Sequence, residues 1–508
     1  MKVNICFILL GFVLSTATTL AQHRSAKRGV GWDEKQQPLT TAPIDKMSPG
    51  ITWLYNWGLT PQGSANNIGP QQDIEFVPMC WNGGFNETTL RNYLTTHPGV
   101  KYLLGFNEPN FSSQSNMTPQ QAADKWPKLE QIAADFNLQL VAPALNFSGE
   151  KVGGRTWSPY EWYDEFFRLY PTARLDYLAL HCYMNWYSSN TWFATEYFYK
   201  DLYDPSKTDV YGRYPNLRQY LDNYLAANGH FPRMFLTEFC AWENDGTITG
   251  VDFQIDQMTQ KVQKLEQSDL VAGYAWFMGN TSGGASAYPY MSIFQTNSAA
   301  SELSELGKVY VHMSSFDADK YYAMNELIAA KDYIDAGTDS QQPKLRSNTE
   351  TTSDIPLQVN LPSGAWVAWQ VDFPSAGDYN VKLHVKSQTD NKIRLYLDAF
   401  GGSNKKLETV IPTTDGQWTD RTVTVTLPAG QHSILLWNGA STSLFINSLT
   451  VSLDDGPLGL PPVTEATQEQ TTGNSRQLFS LSGQVVPVHE GKVPKGLYIY
   501  NGKKYINN

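Results

Sequence analysis

Two glutamates are set apart by what precedes them. Leu103-Leu104-Gly105-Phe106 runs into Asn107-Glu108-Pro109-Asn110, and Met234-Phe235-Leu236-Thr237 runs into Glu238-Phe239. Each apolar, strand-like run ends in a carboxylate, and Pro109 stops the first from continuing a ladder. If both carboxylates meet at one glycosidic bond, one protonates the leaving oxygen and the other attacks the anomeric carbon. Glu108 is the candidate acid/base, because the Asn107 amide beside it can bond a sugar 2-hydroxyl. Glu238 is then the candidate nucleophile. A lone strand-end glutamate is usually a solvated residue at a loop start; two of one design, one flanked by Asn and Pro, favour the catalytic reading.

Other strand ends supply supporting groups. In His181-Cys182-Tyr183, Tyr183 can donate to Glu238, and His181 can orient a carboxylate or contact sugar, with a plain core histidine as the equal alternative. Trp32, Trp57, Trp81, Trp242 and Trp276 all fall near carboxyl ends of strands, where an indole either stacks on a sugar ring or packs the rim. Trp276, on the eighth strand beside the first, is the leading platform candidate, with Trp32 next to it. Asn56, in Tyr55-Asn56-Trp57, is a candidate sugar hydrogen-bond donor. The candidate substrate-binding set is therefore Asn107, Asn56, His181, Tyr183, Trp32 and Trp276.

The elements that must position these groups alternate. Short apolar strands are predicted at Gly29 to Trp32, Ile51 to Trp57, Glu75 to Trp81, Lys101 to Pro109, Gln139 to Leu145, Leu175 to Tyr183, Arg233 to Trp242 and Val271 to Met278. Helical segments lie between them, opened by Asn86, Thr118-Pro119 and Ser158-Pro159 and covering 216–227 and 253–267. Eight such strands with helical crossovers predict a (β/α)8 TIM barrel, an α/β fold whose site lies at the carboxyl ends of the strands. Beyond about Asp319 the period changes to two, as in Trp366 to Phe373 and Tyr379 to Val385, which predicts an all-β sandwich. A Pro-, Gly-, Thr- and Gln-rich stretch then reads as a linker, followed by a small β C-terminal tail. The predicted division is 1–22, 23–316, 317–453, 454–475 and 476–508.

The 508 residues carry 49 Asp+Glu against 38 Lys+Arg, a net charge of −11. A nucleic-acid partner needs a basic face and is not expected. Met1 to Gln22 reads as a secretory signal peptide, with Lys2, an apolar Ile5 to Leu14 and Thr19-Leu20-Ala21 before the cut. No later stretch is apolar for long enough to predict a membrane span. Cys80, Cys182 and Cys240 remain after that cut, an odd count read as buried thiols. Zinc spacings are absent, so no metal is expected, and neither a phosphate loop nor a nucleophile elbow is found.

Arg28-Gly29-Val30-Gly31-Trp32, Trp53 to Trp57, Glu75 to Met79, Leu104 to Asn110, His181-Cys182-Tyr183 and Thr237-Glu238-Phe239 resemble, in order, the motifs of glycoside hydrolase family 128. The resemblance covers about residues 27–312. It implies a retaining endo-β-1,3-glucanase on a (β/α)8 barrel, with Glu108 as acid/base, Glu238 as nucleophile and no cofactor. Cys182 departs from it, standing where an aromatic is expected. The sandwich is similar to family 6 carbohydrate-binding modules, in Trp366 to Phe373 and in Trp418 with Leu427-Pro428-Ala429-Gly430; Trp366, Trp369, Trp418 and Trp437 are either platforms or core. The tail, notably Pro494 to Ile499, resembles a type IX secretion sorting domain, which implies a secreted or cell-surface protein exported across an outer membrane. A monomer acting on laminarin- or curdlan-type β-glucan is expected. The alternatives are a non-catalytic β-glucan-binding protein, a glucanase of β-1,6 or mixed linkage, or exo action.

Overall fold

The computed structural model describes residues 23–62, 73–147, 149–183, 194–241, 249–338 and 341–454, with three short strands of the tail. The predicted signal peptide, nearly all of the predicted linker and Trp242 lie outside the described residues.

Eight strands form the path of one parallel sheet, and a short ninth, Leu145–Asn146, pairs parallel beside Tyr177–Cys182. The eight are β1 (Arg28–Gly31), β2 (Trp53–Tyr55), β3 (Glu75–Phe76), β4 (Tyr102–Leu104), β5 (Gln139–Val141), β6 (Tyr177–Cys182), β7 (Arg233–Phe239) and β8 (Val271–Trp276). Their spatial order is β3-β2-β1-β8-β7-β6-β5-β4, with every pairing parallel. The sheet curls until its ends approach: Met79, just past β3, bridges Leu104 of β4, where Cys80 N donates to Leu104 O and Leu104 N to Pro78 O, both at 2.9 Å.

Strand alternation divides the side chains between two faces. Trp53, Tyr55, Val77, Met79, Leu104, Val141, Ala179, Phe235 and Ala275 pack together inside the curl. Their neighbours Val30, Leu54, Leu103, Leu140, Leu178, Leu180, Leu236 and Tyr274 face outward into the apolar layer shared with the helices. Gly29 and Gly31 of β1 are what the inside requires, since a Cβ on either would meet the Trp53 ring at 2.3 Å or the Trp57 ring at 2.8 Å.

The predicted helix starts are real caps. Asn86 accepts from Thr89 N, and Thr118 and Ser158 each close a capping box with a Pro behind them in the first turn. Three helices have no counterpart in the sequence reading: Thr41–Met47, Ala194–Tyr203 and Glu305–His312.

From residue 327 onward two antiparallel sheets stack in a β-sandwich-like arrangement. One contains Asp335–Thr338, Ala365–Phe373, Gly430–Asn438, Asn391–Leu397 and Lys405–Ile411; the other centres on Gly377–Lys386 and Leu444–Leu453. The sandwich is not tethered loosely. Arg346 pairs with Asp256 (2.7 Å) and Asp252 (3.1 Å) on helix Val251–Gln267, and Gln263 of that helix donates to Asp335 at 2.8 Å.

A buried cation joins the beginning of the sheet to the chain that leaves it. Arg28 on β1 is 1% exposed; it donates to Tyr274 Oη (3.0 Å), Tyr310 O (3.1 Å) and Ser314 O (2.6 Å) and pairs with Glu266 at 3.2 Å. Burial alone would favour its neutral form, but Tyr274 and Glu266 keep its guanidinium charged. Arg28→Met removes the charge that balances the buried Glu266 carboxylate and the guanidinium donors to the Tyr310, Met313 and Ser314 carbonyls, and chemical denaturation is expected to show a loss of about 3–5 kcal/mol.

Candidate active site

The carboxyl ends of the eight strands open into a cleft of about 1060 Å³, with Glu108 and Glu238 on its floor. Each glutamate is turned in by a local break in regularity. Glu108 follows β4 in a left-handed conformation, φ +44°, and its N–H donates to Ala144 O at 2.9 Å. Glu238 has the same parity as Leu236, which faces out. The pairing of β7 with β6 shifts register between Leu236 and Glu238, and that bulge swings the carboxylate inward opposite His181.

His181 shares Ala179's inward parity and has no exposed surface. Its Nδ1 lies 2.8 Å from Glu108 Oε1 and 3.3 Å from Glu238 Oε2, while Nε2 meets Thr237 Oγ1 at 2.9 Å. One donor atom from each of Glu108, His181 and Glu238 lies within 4.8 Å of the others. Asn146 Nδ2 also donates to Glu108 Oε1 at 2.8 Å. Glu238 collects three more donors: Trp57 Nε1 at 2.7 Å and Tyr55 Oη at 3.3 Å on Oε1, and the Tyr183 hydroxyl on Oε2. Two carboxylates and an imidazole are also donors for a small cation, but these hydrogen bonds already occupy lone pairs that such an ion would need.

The charges are coupled. Burial by itself would discharge His181, yet Glu238 and Glu108 outweigh it and hold the ring's pKa above its usual value. Burial pushes the Glu238 carboxyl up; His181 opposes this, the Glu108 charge reinforces it, and the result lies above the usual range. Glu108 is buried too, but His181 and Asn146 pull it below. These shifts favour a proton on His181 over one on either carboxylate.

Not every candidate reaches the cleft. Asn107 lines it, 2% exposed, with Oδ1 buried and without a partner while Nδ2 reaches Gln114 at 3.3 Å. Tyr183 lines it as well. Asn56 stands in the wall, but its Nδ2 donates to Glu34 and Thr60 O and its Oδ1 accepts from Gly58 N, so its amide serves the loop rather than a sugar. Trp32 and Trp276 are not platforms in this structure. They share the outward parity of Val30 and Tyr274 and are 0% and 1% exposed, with their N–H groups donated to Gln37 O and Met291 O. Besides Tyr183, the described aromatics that do line the cleft are Trp57, Trp81, Phe111 and Phe277. Parity separates them, since Trp57 continues Trp53 and Tyr55, and Trp81 continues Val77 and Met79. Glu34, Gln114 and Glu150 also line the wall and carried no signal in a motif. Cys80, Cys182 and Cys240 are buried, and no disulfide joins them.

A pair of inward carboxylates at the carboxyl ends of a curled parallel sheet is the arrangement of a glycosidase. The chain belongs to the glycosyl hydrolase catalytic core family, whose model matches residues 29–310. The model for the carbohydrate binding module (family 6) matches residues 336–451. Among solved structures, the chain is similar to a GH128 (subgroup II) endo-β-1,3-glucanase from Pseudomonas viridiflava, with 32% identity over 57% of this chain and 98% of that one and a TM-score of 0.42. The corresponding Sorangium cellulosum enzyme shows 26% identity over 56% and 97%, with the same TM-score. A stretch of 121 residues is 30% identical to the clotting factor G alpha subunit of Tachypleus tridentatus; it covers 23% of this chain and 17% of that protein, so the chain spans less than a fifth of that curated relative.

A raised His181 has a consequence for stability. Its contribution is fully present below the usual histidine value of 6.5 and is lost as pH rises through the higher folded value. Denaturant unfolding measured at pH 6 and pH 8 is expected to show wild type losing more stability over that interval than His181→Gln.

Proposed function

We propose that this chain is a secreted, retaining endo-β-1,3-glucanase acting on neutral laminarin- or curdlan-type chains, built on a closed (β/α)8 barrel. The observation that carries the reading is the Glu108–His181–Glu238 cluster on the cleft floor, with oxygens of the two carboxylates within 4.8 Å. Oxygens that close support double displacement, for which carboxyls stand about 5–5.5 Å apart, over the roughly 6.5–9.5 Å that admits a water between sugar and base.

The roles follow from the donors. Tyr183, Trp57 and Tyr55 stabilise an anion at Glu238, the state a nucleophile needs. Sugar covering Glu108 strips its water and favours its neutral form, so the proton on His181 Nδ1 passes 2.8 Å to Glu108 Oε1. Glu238 then attacks the anomeric carbon, the glycosidic C–O bond breaks, and Glu108 hands its proton to the leaving oxygen. Glu108, now a carboxylate, takes a proton from water; the hydroxide displaces Glu238, and the second inversion restores the β configuration. Asn107 Oδ1 is placed to accept from the 2-hydroxyl, and Trp57, Trp81 and Phe277 offer flat faces to ring C–H groups.

Charge supports a neutral substrate. Asp33, Glu34 and Glu150 join Glu108 and Glu238 in the lining, against Lys35 as the only Lys or Arg among the described lining residues, which disfavours uronic or sulfated glycans. The β-1,3 linkage and endo action rest on the order of the sequence motifs and on the 32% identity to the Pseudomonas enzyme across nearly all of its length. Export by the 1–22 signal and a sorting tail at 476–508 belong to the same reading, as does glycan binding by the 336–451 module; the tail's strands Phe479–Ser480, Gly496–Tyr500 and Lys503–Asn507 form a small antiparallel sheet.

On laminarin, wild type is expected to release a ladder of β-1,3 oligosaccharides whose new ends appear first as the β anomer by proton NMR. Glu238→Gln lowers kcat at least about 10³-fold. Glu108→Ala loses a comparable amount on laminarin but far less on an aryl glucoside with an acidic leaving group, which needs no proton. Binding without new reducing ends would make the chain a lectin-like binder, and α-anomeric first products would make it inverting.

A further inference from the structure

Glu34 is 7% exposed in the cleft wall, yet its hydrogen bonds from described residues all come from one loop. Its Oε1 and Oε2 accept from Gln62 N at 2.9 and 3.1 Å, and Oε2 accepts from Asn56 Nδ2. Asn56 closes the same loop from within, through Nδ2 to Thr60 O and Gly58 N to Oδ1, both at 2.9 Å. Glu34 itself is fixed to the core on both sides. Asp33 and Asn280 exchange two 2.8 Å bonds, and the Trp32 indole donates to Gln37 O at 2.9 Å.

Among the loop's described residues, Trp57 touches the carboxylate pair. Trp57 holds φ +58°, a conformation that a tryptophan adopts only when its surroundings impose it. Its ring lies 4.9 Å from Tyr55 and edge-on to Phe277 at 5.9 Å, over Gly31, and its Nε1 is 2.7 Å from Glu238 Oε1.

We propose that Glu34 and Asn56 form a staple that positions Trp57 and, through its indole N–H, the Glu238 carboxylate. The proposal rests on the reading of Glu238 as nucleophile. Glu34 and Asn56 are positioning residues; neither reaches Glu238. The titratable groups facing Glu238 are His181, Glu108, Tyr55 and Tyr183, and none of the variants below alters them.

The test is the pH dependence of kcat/KM on laminarin for wild type, Glu34→Gln, Asn56→Ala, Trp57→Phe and the double variant Glu34→Gln/Trp57→Phe. Trp57→Phe keeps an aromatic ring but removes the N–H that favours the Glu238 anion, so the acidic limb should move up by about 0.5 unit or more. Glu34→Gln and Asn56→Ala should move it the same way and lower kcat/KM by about 10-fold or more. The double variant should show no shift beyond that of Trp57→Phe, because both changes remove one interaction. A limb left at its wild-type position in Glu34→Gln and Asn56→Ala, whatever the loss of rate, overturns the proposal and leaves the staple a purely structural feature. So does a fully additive double variant. If wild type cleaves no β-glucan, the proposed function falls by itself; the linkage is then read by carboxyl ¹³C NMR titration of the same variants, with Glu238→Gln assigning the resonance, and an unshifted Glu238 in Trp57→Phe and Glu34→Gln refutes it.

Discussion

His181 Nδ1 lies against oxygens of two buried carboxylates, and much of the sheet can be understood as what that contact requires. Two anions at this separation, removed from water, repel strongly, and a buried imidazolium between them lowers the cost. The ring must then be fixed, because a rotated imidazole would pair with only one of them. Thr237 Oγ1 on Nε2 supplies that hold, and Thr237 sits where the chain of β7 breaks register. One irregularity thus turns Glu238 inward and places the hydroxyl that orients its partner.

Inside the curl, alternation decides which side chains meet the substrate. A regular β7 would send Glu238 outward with Leu236, and a regular extension of β4 would not hold Glu108 at φ +44°. Both departures sit at strand ends, where a bulge or a left-handed residue disturbs few ladder bonds. The two inward glycines of β1 have the complementary task. They surrender their side-chain volume to Trp53 and Trp57, so that indoles fill the interior and one of them reaches the nucleophile candidate.

What could be read from the sequence follows the same line. The strands, the three N-caps and the glutamate pair were legible because each has a local signature: an apolar run, a Ser, Thr or Asn before a turn, a carboxylate where a run stops. Helices such as Thr41–Met47 and Glu305–His312 were not, since the first has no side-chain cap bond and both are barely two turns long. Trp32 and Trp276 were misassigned because nearness to a strand's carboxyl end says nothing about the face. Counting by twos from Val30 and Tyr274 puts them outside, and counting from Tyr55 and Met79 puts Trp57 and Trp81 inside. Glu34 was invisible for another reason: its partners, Asn56 and the Gln62 amide, belong to another loop that folding brings to it.

The sandwich illustrates a different physical limit. Its Trp369, read as a platform or as core, is 1% exposed and donates its N–H to Ala330 O, while Trp366 and Trp437 lie on the opposite face of the same strands and remain half-buried. Trp366 stacks on Phe400 at 5.9 Å, and Arg394 lies 4.5 Å over Trp437. A sugar ring stacking on those covered faces would have to displace the side chain already there, so aromatic count alone does not measure affinity. The ion pairs from Arg346 to Asp252 and Asp256 meanwhile hold the sandwich against the helix that precedes β8. Glycan held on the sandwich would therefore be presented to the cleft at a set distance and angle rather than on a flexible tether, and rigid spacing favours substrates whose own geometry matches it.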